Sequence, residues 1–288
     1  MVAGKEDSSP YAKARVLEAA EAVFITAQNQ SVAQQFPNEG FSLTPLGTGV
    51  VAITKPLWMW KLNHVAGLGM DGPVTEKDIE TIEALFARIG IAPFINLSQL
   101  AHPDASGLLM SKGYTVVGAQ CVYVFPLEHY QLDGDEPANR IKITSVSEED
   151  KPTFVRNSIE GFKSGGRAVE LLEILAKSAT LRKDTRLYFA KIDGSFAGGA
   201  GLAYLDTPFG QVAELYIDST IPDFRGRGVQ TALLKARLAE AKKNGIKRAV
   251  VNTRPGTGSP RNIERVGFKL AYQKETFTKL ASGETCPY

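Results

Sequence analysis

The segment Phe224–Leu234 constrains the fold of this chain more than any other. Its sequence, FRGRGVQTALL, places Gly226 and Gly228 on either side of Arg227, directly before a helix-forming pattern. Upstream, residues 211–218 alternate apolar and polar side chains as a strand does. Glycines let the backbone curl, and the first N–H groups of a helix are unpaired and carry partial positive charge. This order of strand, loop and helix predicts a nest for a phosphate-sized anion, with an ordinary glycine-containing turn as the alternative.

The surrounding pattern is that of a domain with helices and strands mixed along the chain. Upstream of the loop, the sequence predicts a strand from 141 to 143, a helix that starts near 147–150, a glycine-rich break at 161–167, and a hairpin of 187–190 with 197–204. Downstream it predicts a helix over 227–244 capped by Gly245, a buried strand over 248–251, a short helix over 259–266 ended by Gly267, and one or two strands over 268–277.

Residues from about Ile141 to Lys279 resemble the GNAT acyltransferases, the superfamily of N-acetyltransferases that use acetyl-CoA. The loop fits the family pattern Arg/Gln-x-x-Gly-x-Gly/Ala at Arg225 and Gly228, and departs from it at Gln230, where the family has a small residue. The resemblance implies an α/β (α+β) GNAT fold with a central mixed, mostly antiparallel sheet flanked by helices, and acetyl-CoA as the acyl donor. The donor-binding residues that it implies are Ile217, Asp218, Ser219, Arg225, Gly226, Arg227, Gly228, Val229, Gln230, Asn252 and Asn262.

The resemblance also implies a general base at Glu214, because some family members carry a glutamate at this spacing before the loop. The period of two predicts that Val212, Glu214, Tyr216 and Asp218 share one face of the strand. A carboxylate on a strand covered by helices should have a raised pKa through desolvation, which suits a base that works near neutral pH. The alternative is a surface or ion-paired glutamate with a structural role.

The general acid is less well marked in the sequence. Ile263 occupies the position where many family members carry a tyrosine, so the usual acid is absent. Tyr216 is the catalytic candidate, with Tyr272 as another, and a buried core tyrosine is the alternative for either. The reaction expected from the resemblance is acetylation of the primary amine of a small molecule, and a non-catalytic CoA-binding sensor or regulatory module is the alternative.

The N-terminal half loosely repeats the element order of the C-terminal half. The sequence predicts helices over 12–28 and 75–88 and near 106, a strand or hairpin over 41–53, and strands over 59–65, 93–97 and 115–125. Gly113-Tyr114 and Gly267-Phe268 would be equivalent points, whereas the loop GMDGPVTE at 69–76 is acidic and would repel a diphosphate. We therefore expect a degenerate GNAT-like domain over 1–131, a linker over 132–139 and a GNAT domain over 140–288, with an unrelated α+β N-terminal domain as the alternative.

An acceptor cleft between the two halves would be lined by Trp58, Trp60, Asn63 and His64. The formal net charge of +2 indicates no nucleic-acid partner, and no apolar run reaches membrane-spanning length. The three histidines show no metal-ligand spacing, so no metal is expected. With two cysteines and no apolar signal sequence, the chain is expected to be cytoplasmic, and a homodimer is left open.

Overall fold

The computed structural model describes residues 9–131, 140–256 and 259–280, in which helices and strands alternate along the chain. The helices are α1 (Pro10–Gln35), α2 (Met59–Leu62), α3 (Glu76–Ala87), α4 (Asp104–Ser111), α5 (Lys151–Phe162), α6 (Val169–Leu181), α7 (Val229–Lys243) and α8 (Ser259–Val266). The strands are β1 (Ser42–Leu46), β2 (Gly49–Ile53), β3 (His64–Ala66), β4 (Ile95–Ser98), β5 (Thr115–Pro126), β6 (Ile141–Ser145), β7 (Thr185–Ile192), β8 (Ser195–Thr207), β9 (Gly210–Thr220), β10 (Arg248–Thr253) and β11 (Lys269–Thr278).

These strands form a single sheet of 11 strands in the order β1-β2-β3-β4-β11-β5-β10-β9-β8-β7-β6. Only β3 with β4 and β9 with β10 pair in parallel, so the mixed and mostly antiparallel sheet that the sequence predicted is confirmed. The two halves exchange their last strands. The C-terminal strand β11 lies between β4 and β5, and β5 of the N-terminal half pairs with β10 of the C-terminal half.

Helices cover both faces of this sheet. Helix α1 packs on Val212 and Val250 of one face, whereas α7 packs on Ala213 and Ala249 of the other. Helix α1 also reaches the N-terminal half, where Ala22 and Ile25 contact Val50, Ala52 and Ala66. Because α1 spans both halves on one face, it closes the region where their strands meet.

A buried ion cluster fixes α1 to the exchanged strand β11. Lys274 is fully buried and pairs with Glu18 at 2.6 Å and with Glu21, both on α1. The hydroxyl of Tyr272 donates to Glu18 Oε1 at 2.7 Å. Because two carboxylates share one lysine, loss of that lysine would leave uncompensated charge in the interior.

Most predicted elements are present, with shifted ends. Helix α1 is longer at both ends than the predicted 12–28, and the one or two strands predicted over 268–277 are the single strand β11. The strand predicted over 59–65 is wrong: Met59–Leu62 is a helical turn and the strand begins at His64. A short apolar run has no period that separates one helical turn from a strand.

The proposed domain boundary stays a prediction. Its linker, residues 132–139, lies outside the described residues. The exchange of β5 and β11 means that the two halves share one sheet, whichever boundary is drawn between them.

Candidate active site

The sheet opens where β9 and β10 run side by side. Their parallel pairing consists of Ala249 with Ala213 and Val250 with Glu214, and it goes no further along β9. Beyond Glu214 the backbone of β9 pairs on one side only, with β8. The strand edge from Tyr216 onward therefore offers free N–H and C=O groups to an extended ligand.

A bulge in β9 lies at this opening. Gly201 pairs with Tyr216 and Gly199 with Ser219, so two residues of β9 stand opposite one residue of β8. Ile217 adopts φ 52, in the left-handed region. Such a bulge interrupts the period of two and turns the next side chain to the other face of the sheet.

The bulge overturns one prediction, that Asp218 lies on the same face as Glu214. Asp218 instead forms an ion pair with Arg237 of α7, whose guanidinium is fully buried. The same guanidinium donates to the backbone oxygen of Gly201 at 3.0 Å, and its Nε donates to the backbone oxygen of Leu233 at 2.9 Å. The side chain of Asp218 thus anchors the bulge to α7.

The predicted nest has the backbone geometry that an anion site needs. Gly226 and Gly228 adopt φ 74 and φ 85, and Gly228 is the N-cap of α7. A non-glycine residue rarely adopts these angles, and α7 then presents its unpaired N–H groups. Helix α7 begins at Val229 rather than at the predicted 227, because Gly228 is left-handed.

The polar side chains of the loop are engaged with neighbouring elements. Arg225 Nη2 donates to the backbone oxygen of Gly161 at 3.1 Å and to Ser164 Oγ at 2.7 Å. Gln230 donates to Ser259 Oγ at 3.0 Å and accepts from Asn262 Nδ2 at 2.8 Å. These side chains join the loop to the α5–α6 connection and to α8, and their predicted contact with the donor stays a prediction.

Helix α5 approaches β9 closely at its C-terminal end. A Cβ on Gly161 would lie 2.7 Å from the Cβ of Ser219, so only glycine fits there. The glycine-rich break that the sequence predicted at 161–167 thus begins against the bulge of β9.

A cavity of about 350 Å³ extends from this opening beneath α1. It is lined from the C-terminal half by β9, β10 and the α5–α6 connection, and from the N-terminal half by α1, α2 and neighbouring strands. The residues that carry its chemistry are Lys61, His64, Arg167, Glu214, Tyr216, Asn252 and Arg254. Of the four residues predicted to line a cleft between the halves, Trp60 and His64 do so.

The other two, Trp58 and Asn63, are buried outside the cavity. Trp58 packs against Phe36 and Phe41, and Asn63 accepts from Thr54 and donates to the backbone of Lys55. Their positions along the predicted strand suggested a shared cleft, but the helical turn of α2 separates them from Trp60.

Glu214 is the buried carboxylate of this cavity. Its side chain accepts a hydrogen bond from Asn252 Nδ2 at 3.2 Å through Oε1, while Oε2 is buried without a hydrogen-bond partner. Burial raises the pKa of Glu214 to about 8, and the hydrogen bond from Asn252 and the charges of Arg182 and Lys61 oppose that rise. The expected raised pKa is therefore present, with desolvation as its cause.

Tyr216 lies two residues further along the strand and also lines the cavity. Its hydroxyl is 3.0 Å from Thr185 Oγ1, and its ring packs edge-on against Phe24 of α1. Burial raises the pKa of Tyr216 to about 12, so the phenol keeps its proton at neutral pH. The hydroxyl of the other tyrosine, Tyr272, already donates its hydrogen bond to Glu18.

The comparisons with known proteins agree with this geometry. No curated protein matches the sequence. Residues 148–268 match the model of the acetyltransferase (GNAT) family. This segment is a GNAT acetyltransferase domain.

Solved structures show the same fold over most of the chain. A GCN5-related N-acetyltransferase from Kribbella flavida has a TM-score of 0.63 at 16% identity, covering 91% of this chain and 96% of that one. A GCN5-related N-acetyltransferase from Sphaerobacter thermophilus has a TM-score of 0.54 at 15% identity, covering 92% and 93%. The match over residues 148–268 supports an acetyltransferase, and the matched family generally uses acetyl-CoA.

The GNAT domain brings together most of the predicted site. The opening beyond Glu214 and the glycine nest before α7 fit an extended donor with a diphosphate. Lys61, Arg167 and Arg254 also line the cavity, although the sequence analysis did not single them out. Within the described residues, no group of three or more His, Cys, Asp or Glu side chains could hold a metal ion, and no helix is long and apolar enough to cross a membrane.

Proposed function

We propose that this protein transfers an acetyl group from acetyl-CoA to the primary amine of a small molecule, with Glu214 as the general base. The observation that carries the proposal is the free oxygen of Glu214. Oε2 is buried without a partner in a cavity that opens to the β9–β10 gap. An unsatisfied buried acceptor is costly unless a ligand donor reaches it, and an ammonium group is such a donor.

The chemistry needs a neutral amine and a good leaving group. The thioester supplies the acetyl carbon; the amine nitrogen bonds to that carbon as the C–S bond breaks, and CoA leaves as a thiolate. Glu214 takes the proton that the ammonium must lose before it attacks. The nitrogen loses a second proton as the amide forms, and this balances the proton that the leaving thiolate takes up. A pKa of about 8 makes the carboxylate a stronger base than an exposed glutamate, and the incoming positive charge favours its ionised form.

Asn252 acts in this proposal as a positioning residue for the base. It donates Nδ2 to Glu214 Oε1, while its own Oδ1 is buried without a partner. A second acceptor beside Glu214 would take another N–H of the ammonium group. The placement of Asn252 next to Glu214 favours a role at the acceptor amine over the donor contact that the family resemblance implied.

Tyr216 remains the candidate for the acid that protonates the leaving thiolate. Its position in the cavity and its protonated phenol support that role. The hydroxyl contact with Thr185 supports packing instead, and the Tyr216→Phe variant separates the two roles.

For the donor, we propose the backbone edge of Ile217–Ser219 for the pantetheine arm and the nest at Gly226–Gly228 for the diphosphate. The N-terminal half would be a GNAT-like repeat without a donor site. Its loop carboxylate Asp71 already accepts from the backbone N–H of Thr48 and from Arg15 at 2.7 Å, where a donor diphosphate would need free N–H groups.

The experiment is acetyl transfer from acetyl-CoA to a panel of small primary amines, followed by release of the CoA thiol. We expect turnover with at least one amine, and a fall of about 100-fold or more in kcat for Glu214→Gln. Glu148→Gln, at an exposed position just before α5, is the matched control and should leave kcat unchanged. Binding of acetyl-CoA without turnover of any amine would favour the sensor role.

A further inference from the structure

Cations and carboxyl groups line the cavity together. Three cations line it, from Lys61, Arg167 and Arg254, together with three carboxyl groups, from Glu21, Glu214 and Asp218. Two of those carboxyl groups pair with other cations: Asp218 pairs with Arg237, and Glu21 shares Lys274 with Glu18. The third, Glu214, is mostly protonated at neutral pH.

The cations come from three separate parts of the chain. Lys61 is on α2 of the N-terminal half, Arg167 is in the connection from α5 to α6, and Arg254 follows β10. Burial and the charges of Arg167 and Arg254 lower the pKa of Lys61 to about 8, and burial together with Arg254 lowers the pKa of Arg167. Among the described residues, no carboxylate forms an ion pair with Lys61 or Arg167.

Aromatic rings support both guanidinium groups. Arg254 lies 4.2 Å from the centroid of the Trp60 ring, and Arg167 lies 5.9 Å from that of Phe162. A ring contact uses the face of a guanidinium, whereas its edge carries the N–H donors that match a carboxylate or phosphate. Holding Lys61 and Arg167 together in a partly buried cavity, where no described carboxylate pairs with either, is unfavourable unless an anion joins them.

The donor diphosphate does not account for this cluster. The nest for that anion is the loop from Arg225 to Gln230, and no residue of this loop lines the cavity. The cations instead share the cavity with Glu214 and Asn252, which face the acceptor amine in the proposed reaction.

We propose that the acceptor is an anionic amine, whose carboxylate or phosphate is bound by Lys61, Arg167 and Arg254 while its amino group meets Glu214. This inference rests on the proposed function and narrows its substrate class. One half of the chain supplies the base and the other supplies Lys61, so the acceptor pocket is complete only when both halves are present.

The test compares matched acceptors with the wild-type protein. The α-amino acids, β-alanine and γ-aminobutyrate are each assayed beside their carboxamides, and O-phosphoethanolamine beside ethanolamine. We expect kcat/KM to be at least tenfold higher for the anionic member, and the series in which this holds distinguishes carboxylate from phosphate. If the neutral amines are acetylated as efficiently as their anionic partners, the inference is overturned and the proposed function stays intact.

Variants then test whether Lys61 and Arg167 cause the preference for anionic acceptors. Lys61→Met and Arg167→Gln should each raise KM for the anionic acceptor at least tenfold and leave the acetyl-CoA Kd unchanged. Lys55→Met is the matched control, because Lys55 pairs with Glu39 and does not line the cavity. A tenfold weaker acetyl-CoA Kd in the first two variants would assign the cluster to donor phosphates and overturn the inference. Acetyl-CoA binding without acetylation of any anionic amine would also overturn it, whereas failure of acetyl-CoA to bind the wild type would refute the proposed function itself.

Discussion

Replacing Glu214 with glutamine should change how the stability of this protein depends on pH. Burial raises the pKa of Glu214 from 4.5 to about 8, so the folded state holds a proton that the unfolded chain releases. The stability that this proton contributes is present below pH 4.5 and is lost as the pH rises toward 8. The amide that replaces the carboxyl in Glu214→Gln does not titrate, so the variant escapes this loss.

The magnitude follows from the two pKa values. At 1.36 kcal/mol per pKa unit, ionisation of this carboxyl in the unfolded chain costs the wild type about 1 kcal/mol of stability at pH 5, about 3 kcal/mol at pH 7 and about 4 kcal/mol at pH 8. The free energy of unfolding of Glu214→Gln minus that of wild type should therefore grow by about 3 kcal/mol between pH 5 and pH 8. That is a large share of the roughly 5–15 kcal/mol that typically stabilises a folded protein.

The assay is urea unfolding of both proteins at pH 5, 6, 7 and 8. Any hydrogen bond that the amide gains or loses shifts the free energy of unfolding by the same amount at every pH. The test is therefore how the difference between variant and wild type changes with pH. The titration of His64, whose pKa burial lowers to about 4, is present in both proteins and cancels. Glu148→Gln, at an exposed site, should show a constant difference from wild type. If the free energy of unfolding of Glu214→Gln also differs from that of wild type by the same amount at every pH, Glu214 is not a buried, protonated carboxyl.

Three further variants test other parts of the account. Asn252→Ala removes a hydrogen-bond donor that lowers the pKa of Glu214, so the acid limb of the pH profile of kcat/KM should move to higher pH. The acetyl-CoA Kd should stay unchanged, and an acid limb that does not move would contradict the positioning role of Asn252. Tyr216→Phe should lower kcat about 100-fold if the phenol protonates the thiolate, and a wild-type kcat would assign Tyr216 to packing. Lys274→Met leaves two buried glutamates without their cation and should lower the free energy of unfolding in urea by about 3 kcal/mol. Lys269→Met, at an exposed position of the same strand, should leave that free energy almost unchanged, and an equal loss in both variants would contradict the buried ion cluster.

Local features of the site could be predicted from the sequence because short-range physics determines them. The glycines of the nest, the helix that follows them and the strand that carries Glu214 all lie close together along the chain. The face of Asp218 could not be predicted, because a bulge at Ile217 breaks the period of two. The ion pair with Arg237, which reveals this bulge, joins residues on different elements.

Long-range placement accounts for the features that the sequence did not reveal. Strands β5 and β11 each follow a Gly-aromatic pair, at Gly113 and Gly267, and no local sequence pattern predicts that each strand pairs with strands of the opposite half. The cation cluster depends on that arrangement. Lys61 and Glu214 line the same cavity although they lie 153 positions apart in the sequence and on different halves of the chain.

The most direct test of the central claim is calorimetric binding of acetyl-CoA to wild type and to two glycine variants of one helix. Gly228 and Gly245 flank opposite ends of α7 with φ 85 and φ 75, so an aspartate strains the backbone similarly at either position. The account predicts micromolar binding by wild type and by Gly245→Asp, and none by Gly228→Asp, which puts a carboxylate in the nest. Equal binding by both variants would show that the nest does not bind the donor diphosphate. No binding by folded wild-type protein would contradict acetyl-CoA as the donor.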